Sequence, residues 1–171
     1  DSAPGKHDLR ALVLLHAFPI GANLWEPQMR SVPAGWRLIT PDLRGFGGST
    51  ELDSLSALSV ADFADDIVDL LQELEIPRAV IGGCSMGGYA ALAVYQAYPQ
   101  VVDALILANT RATADTPEGR ANRRNMLAVV DREGPSGVAR DMMPKLLGRT
   151  THEANPSIEA TIRRLIKQQS P

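Results

Sequence analysis

Four short apolar runs separated by segments of helical period set the frame of this chain. Residues 9–16, LRALVLLH, are continuously apolar rather than alternating, the pattern of a strand buried on both faces of a parallel sheet. Residues 37–40, RLIT, read as a second strand that leads through Pro41 and Asp42 into the glycine-rich stretch LRGFGGST. From Ser59 the period changes. Val60, Phe63, Ala64, Ile67, Val68, Leu71 and Leu74 recur at helical spacing, with Ser59 and Asp62 placed as N-cap and an aspartate variant of the capping box, and Pro77 as the stop. Residues 79–84 read as a third strand, residues 87–98 as an alanine-rich helix ended by Pro99, and residues 104–109, ALILAN, as a fourth strand. Strands alternating with helices predict an α/β fold, a doubly wound parallel sheet with right-handed crossovers.

After Asn109 the texture shifts. Asp115-Thr116-Pro117-Glu118 offers an N-cap, a proline in the first turn and a carboxylate at the third position, opening a helix that runs to about residue 130. Gly134-Pro135-Ser136-Gly137 breaks it, and helices around 138–147 and 156–169 follow, with no further strand. Two parts are expected: residues 1–110, carrying the sheet, and residues 111–171, a helical subdomain. No internal repeat or low-complexity tract interrupts either.

With 171 residues, 44% apolar and 22% charged, the chain can bury one sizeable core and is too short for two full domains with linkers. A net charge of -3 argues against nucleic acid or an anionic membrane as the main partner. The basic groups Arg120, Arg123, Arg124 and Arg163, Arg164, Lys167 fall in helical patterns and read as solvated faces. Cys84, the single cysteine, cannot close an internal disulfide. No apolar run approaches the roughly 20 residues of a membrane span, and the opening residues lack a signal peptide's apolar region, so the cytoplasm is the expected compartment.

Gly83-Cys84-Ser85-Met86-Gly87 fits G-x-S-x-G, a sharp strand-to-helix turn that projects a nucleophilic serine above the sheet edge. A match of this kind arises by chance in roughly one chain in twenty of this length, so the strand before it and the helix after it carry more weight than the pattern. The helix N-terminus directs unpaired N–H groups and partial positive charge at the serine, which favours a developing oxyanion. The competing reading makes Ser85 a simple helix cap. Cys84, one residue away in an extended segment, should point elsewhere and reads as a small buried hydrophobe.

The stretches LLHAFPIGANLWEPQM, TPDLRGFGGST, IGGCSMGGYAALAVYQAYP and DALILANTRATADTPEGRANR resemble, in order and spacing, the α/β-hydrolase superfamily, and within it the cofactor-free serine esterase and enol-lactonase branch with a helical cap. The resemblance implies that residues 1–110 are the N-terminal part of the hydrolase core and 111–171 part of the cap, and that neither cofactor nor metal is needed. It implies Ser85 as nucleophile. His16-Ala17-Phe18-Pro19 matches the family's H-G-F-P loop, which makes the backbone N–H groups of Phe18 and Met86 the oxyanion donors. Ala17 stands where glycine is usual, which would disturb the loop if the position needs a glycine-only conformation. His16 is expected to order that loop, and Asp42 and Arg44 to hold a turn. The stretch Gly45-Phe46-Gly47-Gly48 lacks the lysine and the strand-to-helix setting of a phosphate loop.

A serine hydroxyl is a weak nucleophile without a base, and the family's order is serine, acid, histidine, with the last two following the cap. His7 and His16 precede Ser85. His152 lies in GRTTHEANP, read as a polar turn between cap helices where a His152–Glu153 dyad would be poorly held. Asn109 cannot supply the acid. With Pro171 falling where the cap should hand back to the sheet, the chain reads as the N-terminal part of a hydrolase, with a companion C-terminal polypeptide expected to complete the sheet and bring the triad Asp and His. The implied function is hydrolysis of a small carboxylic ester or lactone through an acyl-enzyme on Ser85, beneath an apolar lid drawn from Leu127, Val130, Met142, Met143 and Leu146. Ser85 at the elbow disfavours dehalogenase and epoxide hydrolase chemistry, which uses a carboxylate there. The alternatives are a non-catalytic protein that captures a small ligand on the same scaffold, and a structural fragment with neither activity.

Overall fold

The computed structural model describes residues 1–49 and 58–169. Residues Asp1–Ala112 form one compact unit and Thr113–Pro171 a second. The first contains the strands β1 (Arg10–Leu15), β2 (Trp36–Ile39), β3 (Ala79–Cys84) and β4 (Val102–Ala108), all parallel in the order β2-β1-β3-β4. The helices are α1 (Glu26–Met29), α2 (Val60–Glu73) and α3 (Met86–Ala97). All four strands expected from the apolar runs are present. Helix α1 is not legible in advance because four residues cannot display a period.

Strand parity decides what faces what. Ala11, Val13 and Leu15 of β1 and Ala79 and Ile81 of β3 point to one side, where they meet Phe63, Ala64, Ile67, Val68 and Leu71 of α2 and Ala90, Ala91 and Val94 of α3 in a single buried cluster. Each large aliphatic side chain withdrawn from water here stabilises the fold by about 1.5–3 kcal/mol. Helix α2 opens with the capping box expected: the Ser59 hydroxyl accepts from Asp62 N–H while the Asp62 carboxylate accepts from Ser59 N–H at 2.6 Å. It ends four residues before Pro77, with Leu74 as C-cap and Glu75 in the left-handed region.

The two outer strands differ. Next to β2, Ser2 N–H donates to Leu38 O and Leu38 N–H to the Ser2 hydroxyl, both at 2.8 Å, and the buried Arg37 guanidinium is held by the Asp1 carboxylate. On the other side β4 has no neighbouring strand among the described residues, and Ile106 and Leu107 remain 46% and 48% exposed.

The second unit is helical. Helix α4 (Pro117–Leu146) is two helices joined at a kink where Gly134 takes φ 60° and ψ -157°. The break falls where expected, but helix resumes at Pro135 rather than 138, since proline suits the first position of a helix. Its N-cap is Thr116, whose hydroxyl accepts from Gly119 N–H at 3.1 Å, and not Asp115, whose carboxylate instead binds Arg123. The segment read as a polar turn is a short helix, α5 (Arg149–Ala154), followed by α6 (Pro156–Lys167). Val138, Ala139, Met143 and Ile166 are buried in this unit, whereas Leu127 is 63% exposed and Val130, Met142 and Leu146 lie between. No described helix is long and apolar enough to cross a membrane.

Candidate active site

β1 and β3 lie side by side at the centre of the sheet, with Leu15 opposite Gly83. From β1 the chain goes to β2 on one flank, and from β3 to β4 on the other. Connections that leave adjacent parallel strands in opposite directions open a crevice at their carboxyl ends, the place where open α/β sheets hold ligands. Phe18 follows β1 and Ser85 follows β3, so both stand at that end of the sheet.

Ser85 takes φ 51° and ψ -109°, a conformation that costs a non-glycine residue about 1–3 kcal/mol and persists only when its surroundings enforce it. Those surroundings are visible. Ser85 N–H donates to Ala108 O at 3.0 Å, while Ser85 O accepts from Gly88 N–H at 3.0 Å, Tyr89 N–H at 3.3 Å and the Thr110 hydroxyl at 2.8 Å. The Ser85 side chain makes no capping hydrogen bond to α3, so the simple cap reading of this serine lacks its defining contact. Gly83 continues the parity of Ala79 and Ile81, and a Cβ there would overlap the Gly87 carbonyl. A Cβ on Gly87 would lie 2.7 Å from His16 O and closer still to Leu15 O. The absent side chains let α3 start directly against β3 and the end of β1. Met86 is the first residue of α3, and first-turn N–H groups have no intrahelical acceptor.

The loop after β1 is built around His16. Its ring is fully buried; Nε2 accepts from Leu43 N–H at 2.9 Å, and Nδ1 lies 3.3 Å from Ala17 O as donor. These bonds require the neutral ring protonated on Nδ1. Burial holds the pKa below the ordinary imidazole value of 6.5, against smaller raising effects from Ala17 O and the Asp42 carboxylate. His16 is therefore a structural group. The ring also meets Phe46 edge-on at 5.0 Å, and Phe46 meets Phe18 at 6.2 Å. Ala17 is not among the non-glycine residues with positive φ, so alanine causes no conformational conflict there. Asp42 accepts from Ala22 N–H at 2.7 Å and Gly48 N–H at 3.0 Å and so holds the turn as expected, whereas Arg44 pairs with Asp66 of α2 and ties the loop to that helix. Thr50, the end of that motif, lies outside the described residues, as does Pro171.

A consequence for pH follows from His16. The unfolded chain takes up a proton near pH 6.5 that the folded ring resists, so its contribution to stability is complete above pH 6.5 and declines as pH falls below it. Urea midpoints measured from pH 7.5 to 5 should show this decline. His16→Gln, which can still accept from Leu43, should flatten it, and an unchanged slope would count against the assignment.

The other histidines have different surroundings. His7 Nε2 stands 3.6 Å from Glu75 on an exposed surface. His152 Nδ1 lies 3.0 Å from Glu159 Oε2, not on Glu153, and Glu159 also accepts from Arg163 at 2.9 Å. These groups line a cavity of about 480 Å³ in the helical unit, with Met143 and Pro144. Cys84 is half-buried, and that burial raises its thiol pKa, which suits an unreactive side chain. No local pattern in the sequence marks Thr110, whose hydroxyl acts on a residue 25 positions away.

Residues 10–141 match the model of the alpha/beta hydrolase fold family, and the chain belongs to that family. It is 32% identical over 95 residues to 3-oxoadipate enol-lactonase 1 of Acinetobacter baylyi, covering 54% of this chain and 35% of that one. Among solved structures, a thermophilic esterase from Thermogutta terrifontis superposes with TM-score 0.88 at 36% identity, over 95% of this chain and 59% of that one. The enol-lactonase of Burkholderia xenovorans LB400 superposes with TM-score 0.84 at 23% identity, over 95% of this chain and 60% of that one, a likeness of fold. The chain thus spans about a third of the curated lactonase and three fifths of the solved neighbours.

Proposed function

We propose that this chain carries the nucleophile and oxyanion site of a serine hydrolase acting on small carboxylic esters or lactones. The observation that carries this is the enforced conformation of Ser85, seated at the carboxyl end of β3 with an uncapped hydroxyl. In the reaction, Ser85 Oγ attacks the ester carbon as a histidine removes its proton. The carbonyl oxygen becomes an oxyanion received by the Phe18 and Met86 N–H groups, each worth on the order of 3 kcal/mol. The alcohol leaves with that proton, and water then repeats the sequence to release the acid and restore Ser85. The esterase and enol-lactonase relatives support this substrate class. On this reading residues 1–110 are the N-terminal part of the core and residues 111–171 part of the cap, with Leu127, Val130, Met142 and Leu146 as candidate lid side chains and Met143 packed inside the helical unit. A cytoplasmic setting accords with the lone Cys84.

His16 cannot be the base, because Leu43 N–H already occupies its Nε2 lone pair. The triad acid and histidine come instead from a C-terminal polypeptide, as continuation or companion chain, whose strand pairs with β4. The β4 edge, which has no neighbouring strand among the described residues, the exposure of Ile106 and Leu107, and the partial span of the relatives support this. Mass measurement of the active species should find polypeptide beyond these 171 residues; a folded, active species of this chain alone would contradict it.

The engagement of His16 and His152 with other partners favours one second reading, a small-ligand-binding protein without turnover. A nitrophenyl ester separates the two: saturable hydrolysis is expected, whereas a ligand-dependent rise in melting temperature without hydrolysis would establish the binding reading.

A further inference from the structure

We infer that Thr110 is a positioning residue for the oxyanion site, acting through the peptide that joins Ser85 to Met86. The inference rests on the proposal that Ser85 is the nucleophile and Met86 N–H an oxyanion donor. The Ser85 carbonyl and the Met86 N–H are opposite ends of one planar, trans peptide unit, so a bond that holds one end aims the other. The Thr110 hydroxyl donates to that carbonyl at 2.8 Å.

The geometry around this bond is specific. Ser85 sits where its own torsions provide no deep well, so the plane must be held from outside. Gly88 and Tyr89 N–H hold it from the side of α3, and Thr110 holds it from the chain after β4. Ser85 N–H is tied to the same chain through Ala108 O at 3.0 Å. Asn109, in the left-handed region at φ 45°, turns the backbone between those two contacts. A Cβ on Gly88 would lie 2.5 Å from Thr110 Cβ, Cγ2 and Oγ1, so the glycine after the elbow motif makes room for this threonine. A donor on the amide oxygen also polarises the amide and strengthens its N–H as a donor, an effect that grows as negative charge develops opposite Met86. Thr110 touches neither substrate nor the reacting atoms in this scheme, and its influence belongs to the transition state.

The test uses the assembled enzyme with a nitrophenyl ester and compares Thr110→Val, which keeps the shape and loses the hydroxyl, with Thr110→Ser, which keeps the hydroxyl. Thr110→Val should lower kcat about tenfold, a fraction of what loss of a whole donor costs, with KM within about twofold of wild type. Affinity for an alkylboronic acid, a tetrahedral mimic, should fall in parallel, and Thr110→Ser should restore both. Thr110→Ala gives the same comparison if the valine variant fails to fold. Unchanged kcat in the valine variant would overturn the inference. So would a lowered kcat with boronate affinity intact, or one not restored by serine, since packing alone would explain either. Ser85→Ala separates the two levels: undiminished turnover there defeats the proposed function, whereas an inactive Ser85→Ala beside a fully active Thr110→Val defeats only the role of Thr110.

Discussion

Replacing Ser85 with alanine is expected to lower kcat for a nitrophenyl ester by roughly 10⁴- to 10⁶-fold while leaving KM nearly unchanged. The size of the loss follows from what is removed. On the proposed mechanism no acyl-enzyme forms without the hydroxyl, and only the residual effect of the proposed oxyanion donors and substrate binding survives. Substrate affinity should persist because the Ser85 hydroxyl makes no capping bond that shapes the site. A companion substitution separates chemistry from strain. Glycine takes φ 51° without steric cost, so Ser85→Gly should be equally inactive yet more stable in urea unfolding by about 1 kcal/mol, net of the added freedom of the unfolded chain. An active Ser85→Ala enzyme would move the nucleophile elsewhere.

The largest effect on stability is expected at Gly83. A methyl group there meets the Gly87 carbonyl and Gly88 N, which are backbone atoms of α3 and cannot rotate away. Either α3 moves off β3, uncovering Ala90, Ala91 and Val94 from the shared core, or the strand distorts between β1 and β4. Overpacking of this kind costs about 1–3 kcal/mol where side chains can yield, and more where only backbone is in the way. Gly83→Ala should therefore lose at least about 3 kcal/mol in urea unfolding. Gly35→Ala is the control: its Cβ would meet nothing within 4 Å, and its cost should be only that of alanine at positive φ. Equal midpoints for the two variants would show that the α3–β3 approach is not as close as described.

The parts legible in the sequence are those in which one local pattern has one physical outcome. Within the runs at 9–16 and 79–84, residues 11–15 and 79–84 leave no polar face, so they become central strands; Ser59 and Asp62 sit at the spacing that closes a capping box. The glycines around Ser85 were readable because only close approach explains them. What the sequence does not display depends on distance or on competition between neighbours. Thr116 outcompetes Asp115 as a cap because Arg123 draws the aspartate away. His152 takes Glu159 rather than the adjacent Glu153, because residues seven apart on α5 and α6 are brought together by a turn. Thr110 reaches Ser85 through β3–β4 pairing, which no linear pattern records.

The central claim is that Ser85 is the reactive nucleophile of this fold. A fluorophosphonate probe forms a stable adduct only with a serine whose hydroxyl is activated, and digestion followed by mass mapping locates it. One adduct is expected, on the peptide containing Ser85, lost in the Ser85→Ala variant together with hydrolysis. An adduct on another residue, or none in a preparation that hydrolyses the ester, would contradict it.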